Sequence, residues 1–184
     1  MYLHKENREL FRDAILLTSQ KLEVSEDIVE KDYYVTLILK KLSSIEYAVV
    51  FKGVTSLSKA FQVIDRFSED IDLSMNRRPT QSERVKSKEL IIEIAENLGL
   101  VLSNPEEIKS RYDYNKYVFK YDSLFAVIPL EIIIETSYYQ SVYPVDKHVV
   151  GSFVGKFCLD RNIILPVPFE AAEVMMNVQS VERT

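Results

Sequence analysis

Apolar residues recur at helical spacing through 5–20, where Leu10, Phe11, Ala14, Ile15 and Leu16 form one stripe. The next periodic stretch is framed by its charges. Ser25 stands at the N-cap position, Glu26 and Asp27 fill the first turn, and Lys40 and Lys41 fill the last. That order complements the helix dipole and predicts a helix over 26–42. The pattern shortens to strand length at 47–52, returns to helix at 55–64, and alternates again at 70–75. Arg77-Arg78-Pro79-Thr80 reads as a turn. Residues 82–98 then carry Val85, Leu90, Ile91, Ile94, Ala95 and Leu98 on one helical face, and Gly99 stops the helix. Strands are predicted at 100–103, 116–121 and 124–134, the last holding the apolar run Ile132–Ile134. Beyond Pro144 the pattern weakens to a strand near 156–159 and a short helix at 169–177. Together these elements predict an α/β or α+β fold, a mixed sheet flanked by helices. The 184 residues suit one domain, with N-terminal helices over 5–42 and a sheet core over about 47–160.

Composition narrows the classes. A hydrophobic fraction of 47% can build a core, and 28% charged residues is ordinary for a soluble protein. A net charge of -5 argues against broad nucleic-acid binding but leaves a local basic patch open. No apolar run approaches the roughly 18 residues a membrane span needs. The opening Met1-Tyr-Leu-His-Lys-Glu lacks the pattern of a signal peptide. The lone Cys158, between Phe157 and Leu159, permits no intramolecular disulfide and reads as core packing in a cytoplasmic protein. With His4 and His148 the only histidines, a zinc site is not expected. The eleven tyrosines read mainly as packing residues.

The chemistry concentrates between Lys52 and Leu73. Side chains alternate along a strand, so Asp70 and Asp72 share a face while Ile71 and Leu73 share the other. An isolated Asp-x-Asp is more often a solvated strand end than a site. Here it follows a glycine turn and a helix start, Lys52-Gly53-Val54-Thr55-Ser56, a natural place for phosphate. Paired carboxylates repel unless a cation or a proton lies between them, and all-oxygen ligands favour Mg²⁺ or Mn²⁺. A third carboxylate is expected from a neighbouring strand. Glu131, between Leu130 and Ile132, is the first choice, and Glu135 on the same face is its substitute. Glu131 could instead pair with a buried Lys or Arg. Gly53 permits close backbone approach. Thr55 and Ser56 either hold phosphate, cap the helix, or do both. Lys52, Lys59 and Arg66 either balance phosphate charge or make structural ion pairs. Lys31-Asp32-Tyr33-Tyr34 reads either as a site contribution or as a polar face with aromatic core residues.

Three stretches resemble the AbiEii/AbiGii toxin family of nucleotidyltransferases. They are Glu30-Lys31-Asp32-Tyr33-Tyr34-Val35-Thr36, then Phe51 to Lys59, then Arg66-Phe67-Ser68-Glu69-Asp70-Ile71-Asp72-Leu73. Leu130-Glu131-Ile132 is similar to the family's third-carboxylate strand. The resemblance covers roughly 25–184 and implies a nucleotidyltransferase-like mixed sheet. It also implies a bacterial toxin of the type IV toxin–antitoxin and abortive-infection systems, with an antitoxin partner. By that resemblance Asp70, Asp72 and Glu131 hold the metals, and Glu131 orients or deprotonates the acceptor hydroxyl. Lys52, Gly53, Val54, Thr55, Ser56 and Arg66 then contact the nucleotide. The implied donor is an NTP, GTP among the possibilities, and the implied acceptor is a hydroxyl, on RNA such as tRNA or elsewhere. The family's usual Lys-Gly-Gly-Thr or Lys-Gly-Ser-Thr is departed from at Val54, whose bulk bears on nucleotide affinity. Val181-Glu182-Arg183-Thr184 matches the start of a further family motif, so the resemblance implies an N-terminal fragment whose C-terminal helical region follows.

Two other functions compete with nucleotidyl transfer. One is a catalytically inactive nucleotide- or antitoxin-binding module, to which Val54 points. The other is a glycosyltransferase using Asp-x-Asp to hold a nucleotide-sugar, disfavoured by the glycine turn just before the pair.

Overall fold

The computed structural model describes residues 2–44, 49–61, 63, 70–109, 111–140, 144–164 and 173–180. Three helices lead: α1 (Leu3–Glu6), α2 (Arg8–Leu22) and α3 (Glu26–Ser43). Strand β1 (Val49–Lys52) runs into the one-turn α4 (Gly53–Ser56), which continues as a wider π-type turn over Leu57–Phe61. Then come β2 (Asp70–Met75), α5 (Gln81–Asn97), β3 (Val101–Leu102), β4 (Tyr114–Tyr121) and β5 (Leu130–Gln140). The series closes with β6 (Val145–Gly151), α6 (Phe153–Asp160) and β7 (Glu173–Gln179). Among the described residues no helix is long and apolar enough to cross a membrane.

The described strands form one mixed sheet, in the order β3-β4-β5-β2-β1-β7-β6. β1 is antiparallel to β2 and parallel to β7, while β2 is parallel to β5. Register sorts the side chains cleanly. Phe51, Ile71, Leu73, Tyr117, Phe119, Ile132, Ile134 and Val178 share one face and are all buried. They join the buried side of α3, including Val29, Tyr33, Leu37, Ile38 and Leu42, in the hydrophobic core. α2 and α6 pack on α3 in turn. At the N-terminus His4 bonds the Tyr33 hydroxyl and the Leu98 carbonyl, tying α1 to α3 and to the end of α5. Its burial holds the imidazole down at a pKa of about 4, so it is neutral at pH 7.

The helices over 26–42 and 82–98 lie where periodicity puts them, but Val85, placed on the apolar face by that periodicity, is exposed. The 77–80 turn feeds a capping box, in which Thr80 Oγ1 accepts from the Glu83 N–H and Glu83 accepts from the Thr80 N–H. Four expectations need correction. The strand predicted at 124–134 is β5 at 130–140, because the Glu30 carboxylate fastens the preceding loop through Ser123 Oγ and the Leu124 N–H. The strand predicted near 156–159 is helix α6, whose Ser152 cap accepts from the Gly155 N–H. The helix predicted at 169–177 is strand β7 where it is described, held between β1 and β6. The helix predicted from 55 begins at Gly53 and widens after Ser56.

Candidate active site

One transect of the sheet carries the charge. Lys52 on β1 pairs in register with Asp72 on β2, Asp72 with Glu135 on β5, and Glu135 with Lys116 on β4. Two carboxylates therefore lie side by side with a lysine on each flank, on the face opposite the core. Asp70 is on the same face of β2, two residues before Asp72, and is level with Ile133. Partial burial, then the charge of Glu135, and more weakly that of Asp70, push the Asp72 carboxyl above its ordinary pKa, while Lys52 opposes them. Partial burial, then the neighbouring Glu135 and more weakly Asp72 and Asp70, push the half-exposed Tyr114 phenol up to about 12. Lys116 Nζ is 3.8 Å from Glu135 Oε1.

Register separates the two candidates for third carboxylate. Glu135 is level with Asp72, whereas Glu131 lies below Asp70, opposite Lys120. Glu131 is half-exposed and 3.6 Å from Lys120 Nζ, a cross-strand ion pair. Asp70, Asp72 and Glu135 thus form a tighter acidic group than one that includes Glu131. Sequence spacing alone cannot decide this, because 131, 133 and 135 all share a face and only strand pairing sets their height.

The glycine turn abuts this group. Gly53 has φ +76, in the left-handed region, and a Cβ there would overlap Asp72 Oδ2. Thr55 and Ser56 are buried, and their hydroxyls are spent internally. Thr55 Oγ1 donates to the Asp70 carbonyl at 2.5 Å, and Ser56 Oγ donates to the Gly53 carbonyl at 2.8 Å. Neither hydroxyl caps the helix; Thr55 ties the turn to the carboxylate strand, and Ser56 closes the turn on itself. Val54 is the exposed side chain of the turn, and Lys52 is half-buried beside it. Arg66 lies outside the described residues.

The Glu30–Thr36 stretch holds the helical turn that follows the glycine, through Lys59. Lys59 donates to Asp32 Oδ1 at 2.5 Å, to Thr36 Oγ1 at 2.8 Å and to the Gly151 carbonyl at 3.3 Å. Asp32 Oδ2 accepts from the Phe153 N–H at 2.8 Å. Both charged side chains are almost fully buried, at 6% and 7% exposure. Burial pushes the Asp32 carboxyl up and Lys59 pulls it back. The sequence singles out Asp32 and Lys59 without joining them; they lie 27 positions apart.

Three carboxylates on one face are hard oxygen donors of the kind a divalent cation takes, and burial, then the charges of Glu135 and Asp70, makes Asp72 costly to ionise. Among the described residues no three acidic, histidine or cysteine side chains converge on one point. Enclosing a cation therefore requires rotation of these carboxylates.

The family model described as "Nucleotidyl transferase AbiEii toxin, Type IV TA system" matches residues 37–184. JHP933 from Helicobacter pylori is structurally similar, with TM-score 0.52 and 17% identity, over 86% of this chain and 54% of that one. MenT4, the nucleotidyltransferase toxin Rv2826c from Mycobacterium tuberculosis H37Rv, gives TM-score 0.57 and 16% identity, over 91% of this chain and 55% of that one. At these identities the likeness is one of fold. The chain spans about half the length of these solved structures. A search of curated proteins returned no match.

Proposed function

The chain belongs to the AbiEii nucleotidyl transferase toxin family, and on that premise we propose that it supplies the catalytic sheet of a metal-dependent nucleotidyltransferase toxin. The reaction is transfer of NMP from an NTP, GTP among the donors, to a hydroxyl acceptor on RNA such as tRNA. The observation that carries the proposal is the level pairing of Asp72 with Glu135, with Asp70 on the same face and Gly53 against Asp72.

Asp70, Asp72 and Glu135 would hold Mg²⁺ or Mn²⁺, which when bound supplies charge neutralisation at the phosphoryl group and at the attacking and leaving oxygens. Glu131, opposite Lys120, would stand outside this set. Glu135 is the group to accept the proton of the acceptor hydroxyl, with Lys116 beside it. Lys52 opposes the negative charge of the donor as well as that of Asp72. Gly53 and Val54 present backbone to the polyphosphate, while Thr55 and Ser56 hold the turn's shape. A cognate antitoxin is the expected protein partner, and the cytoplasm the expected compartment.

The test is incubation with each labelled NTP, Mg²⁺ and total bacterial RNA. Label entering RNA and absent with Asp70→Ala supports the proposal; equal labelling by that variant overturns it. A second reading, nucleotide binding without transfer, is favoured by the exposed Val54 on the turn. Tight Mg²⁺-dependent NTP binding with no acceptor labelled would select it.

A further inference from the structure

A cavity of about 580 Å³ opens beside the carboxylate face, between the first half of α3, the turn at Ser58–Lys59 and the start of β5. Its size lies within the ~300–1,000 Å³ range of small-molecule sites. It adjoins the acidic group without including it: Ile133, the strand partner of Asp70, is part of its wall, while Asp70, Asp72 and Glu135 are not. Its charges balance. Lys31, Lys59 and Lys120 face Asp27, Asp32 and Glu131, and two of those lysines are engaged by Asp32 and Glu131. A polyphosphate finds no excess of positive charge there. Ile28, Val35, Pro129, Leu130 and Phe153 supply apolar walls, and Ser58 with Glu131 supplies hydrogen-bonding edges. Apolar walls with a few polar groups suit a neutral, flat heterocycle on a hydroxylated sugar.

We propose that this cavity takes the nucleoside part, base and ribose, of the nucleotide donor. The proposal rests on the nucleotidyltransferase reading of the neighbouring carboxylates. It favours donor over acceptor because the cavity wall at Ser58–Lys59 follows directly from the Gly53–Ser56 turn. One molecule can lie along both, polyphosphate on the turn and nucleoside in the cavity. Glu131 then has a place of its own, at the nucleoside rather than in the acidic group.

The test is calorimetric titration of the chain with the four ribonucleosides, the four NTPs and inorganic triphosphate. The variants are Ile28→Trp, which fills the cavity from a half-buried wall position, and Glu131→Ala, which removes a half-exposed carboxylate. At least one nucleoside should bind. Both variants should weaken that nucleoside and its NTP by about tenfold, while inorganic triphosphate changes by less than about twofold. Should Ile28→Trp fail to fold, Glu131→Ala carries the test. Absence of nucleoside binding, unchanged NTP affinity in the folded variants, or an equal loss for triphosphate overturns the inference. Binding requires no transfer, so the outcomes separate. A cavity that binds nucleoside in a chain that labels no acceptor sinks the catalytic proposal alone. Transfer whose NTP affinity ignores the cavity sinks this one alone.

Discussion

Asp72 and Glu135 stand level on neighbouring parallel strands, and the charge of Glu135 is a principal cause, after burial, of the raised Asp72 pKa. Adjacent like charges on a sheet destabilise it. The arrangement therefore costs stability at neutral pH, and a bound cation would recover it.

The sign of that cost gives the first prediction. A carboxyl whose pKa is higher folded than unfolded binds more protons when folded, so stability falls as pH rises from the unfolded value of 3.8 through the raised one. Asp72→Asn removes the charge and should raise Tm at pH 7, by roughly 2–4 °C per kcal/mol of repulsion relieved. It should also flatten the pH dependence of Tm across that window. Melting curves of both proteins in metal-free buffer from pH 4 to 8 check it. A lower Tm for the variant at pH 7 would show that Asp72 is held by favourable contacts.

Gly53→Ala should damage stability and site together. The left-handed φ costs a non-glycine residue about 1–2 kcal/mol. The added methyl also displaces Asp72 Oδ2. Denaturant unfolding should show the stability loss, and transfer should fall further than the unfolded fraction explains. Full activity in Gly53→Ala would mean that the turn and Asp72 are not coupled.

The buried Asp32–Lys59 pair should matter most when half-broken. Lys59→Met leaves Asp32 uncompensated in the interior and should cost about 3–5 kcal/mol in urea unfolding. The double variant Asp32→Asn with Lys59→Met should regain a good part of that loss. If Lys59→Met is silent, the pair is not what fastens the glycine turn to α3.

The amphipathic helices and the Asp-x-Asp strand were legible because each is defined by its own residues: caps, charge order and period. The N-cap Ser25 holds its position, although its hydroxyl makes no capping bond. What spacing could not supply was height across the sheet. Glu131 and Glu135 share a face by alternation, and only the pairing of β2 with β5 distinguishes them. The region after Pro144 misled for a related reason. β6 and β7 pair with each other and, through β7, with β1, so tertiary pairing rather than local pattern fixes their state. Helix α6 buries Val154, Gly155 and Cys158, a helical spacing inside an apolar run short enough to read as a strand. Asp32 and Lys59 each stood out, but their partnership is a long-range contact that one sequence does not encode visibly.

The most direct test compares the two carboxylates of β5 in one transfer assay. Wild type, Glu135→Gln and Glu131→Gln are given labelled NTP, Mg²⁺ and RNA, and kcat and KM are measured for each. If Asp70, Asp72 and Glu135 form the catalytic group, Glu135→Gln should lower kcat by about 100-fold or more, the loss expected when several kcal/mol of transition-state stabilisation is removed. Glu131→Gln should lower kcat by less than about tenfold and act mainly on KM. A kcat that collapses with Glu131→Gln and survives Glu135→Gln would contradict the account.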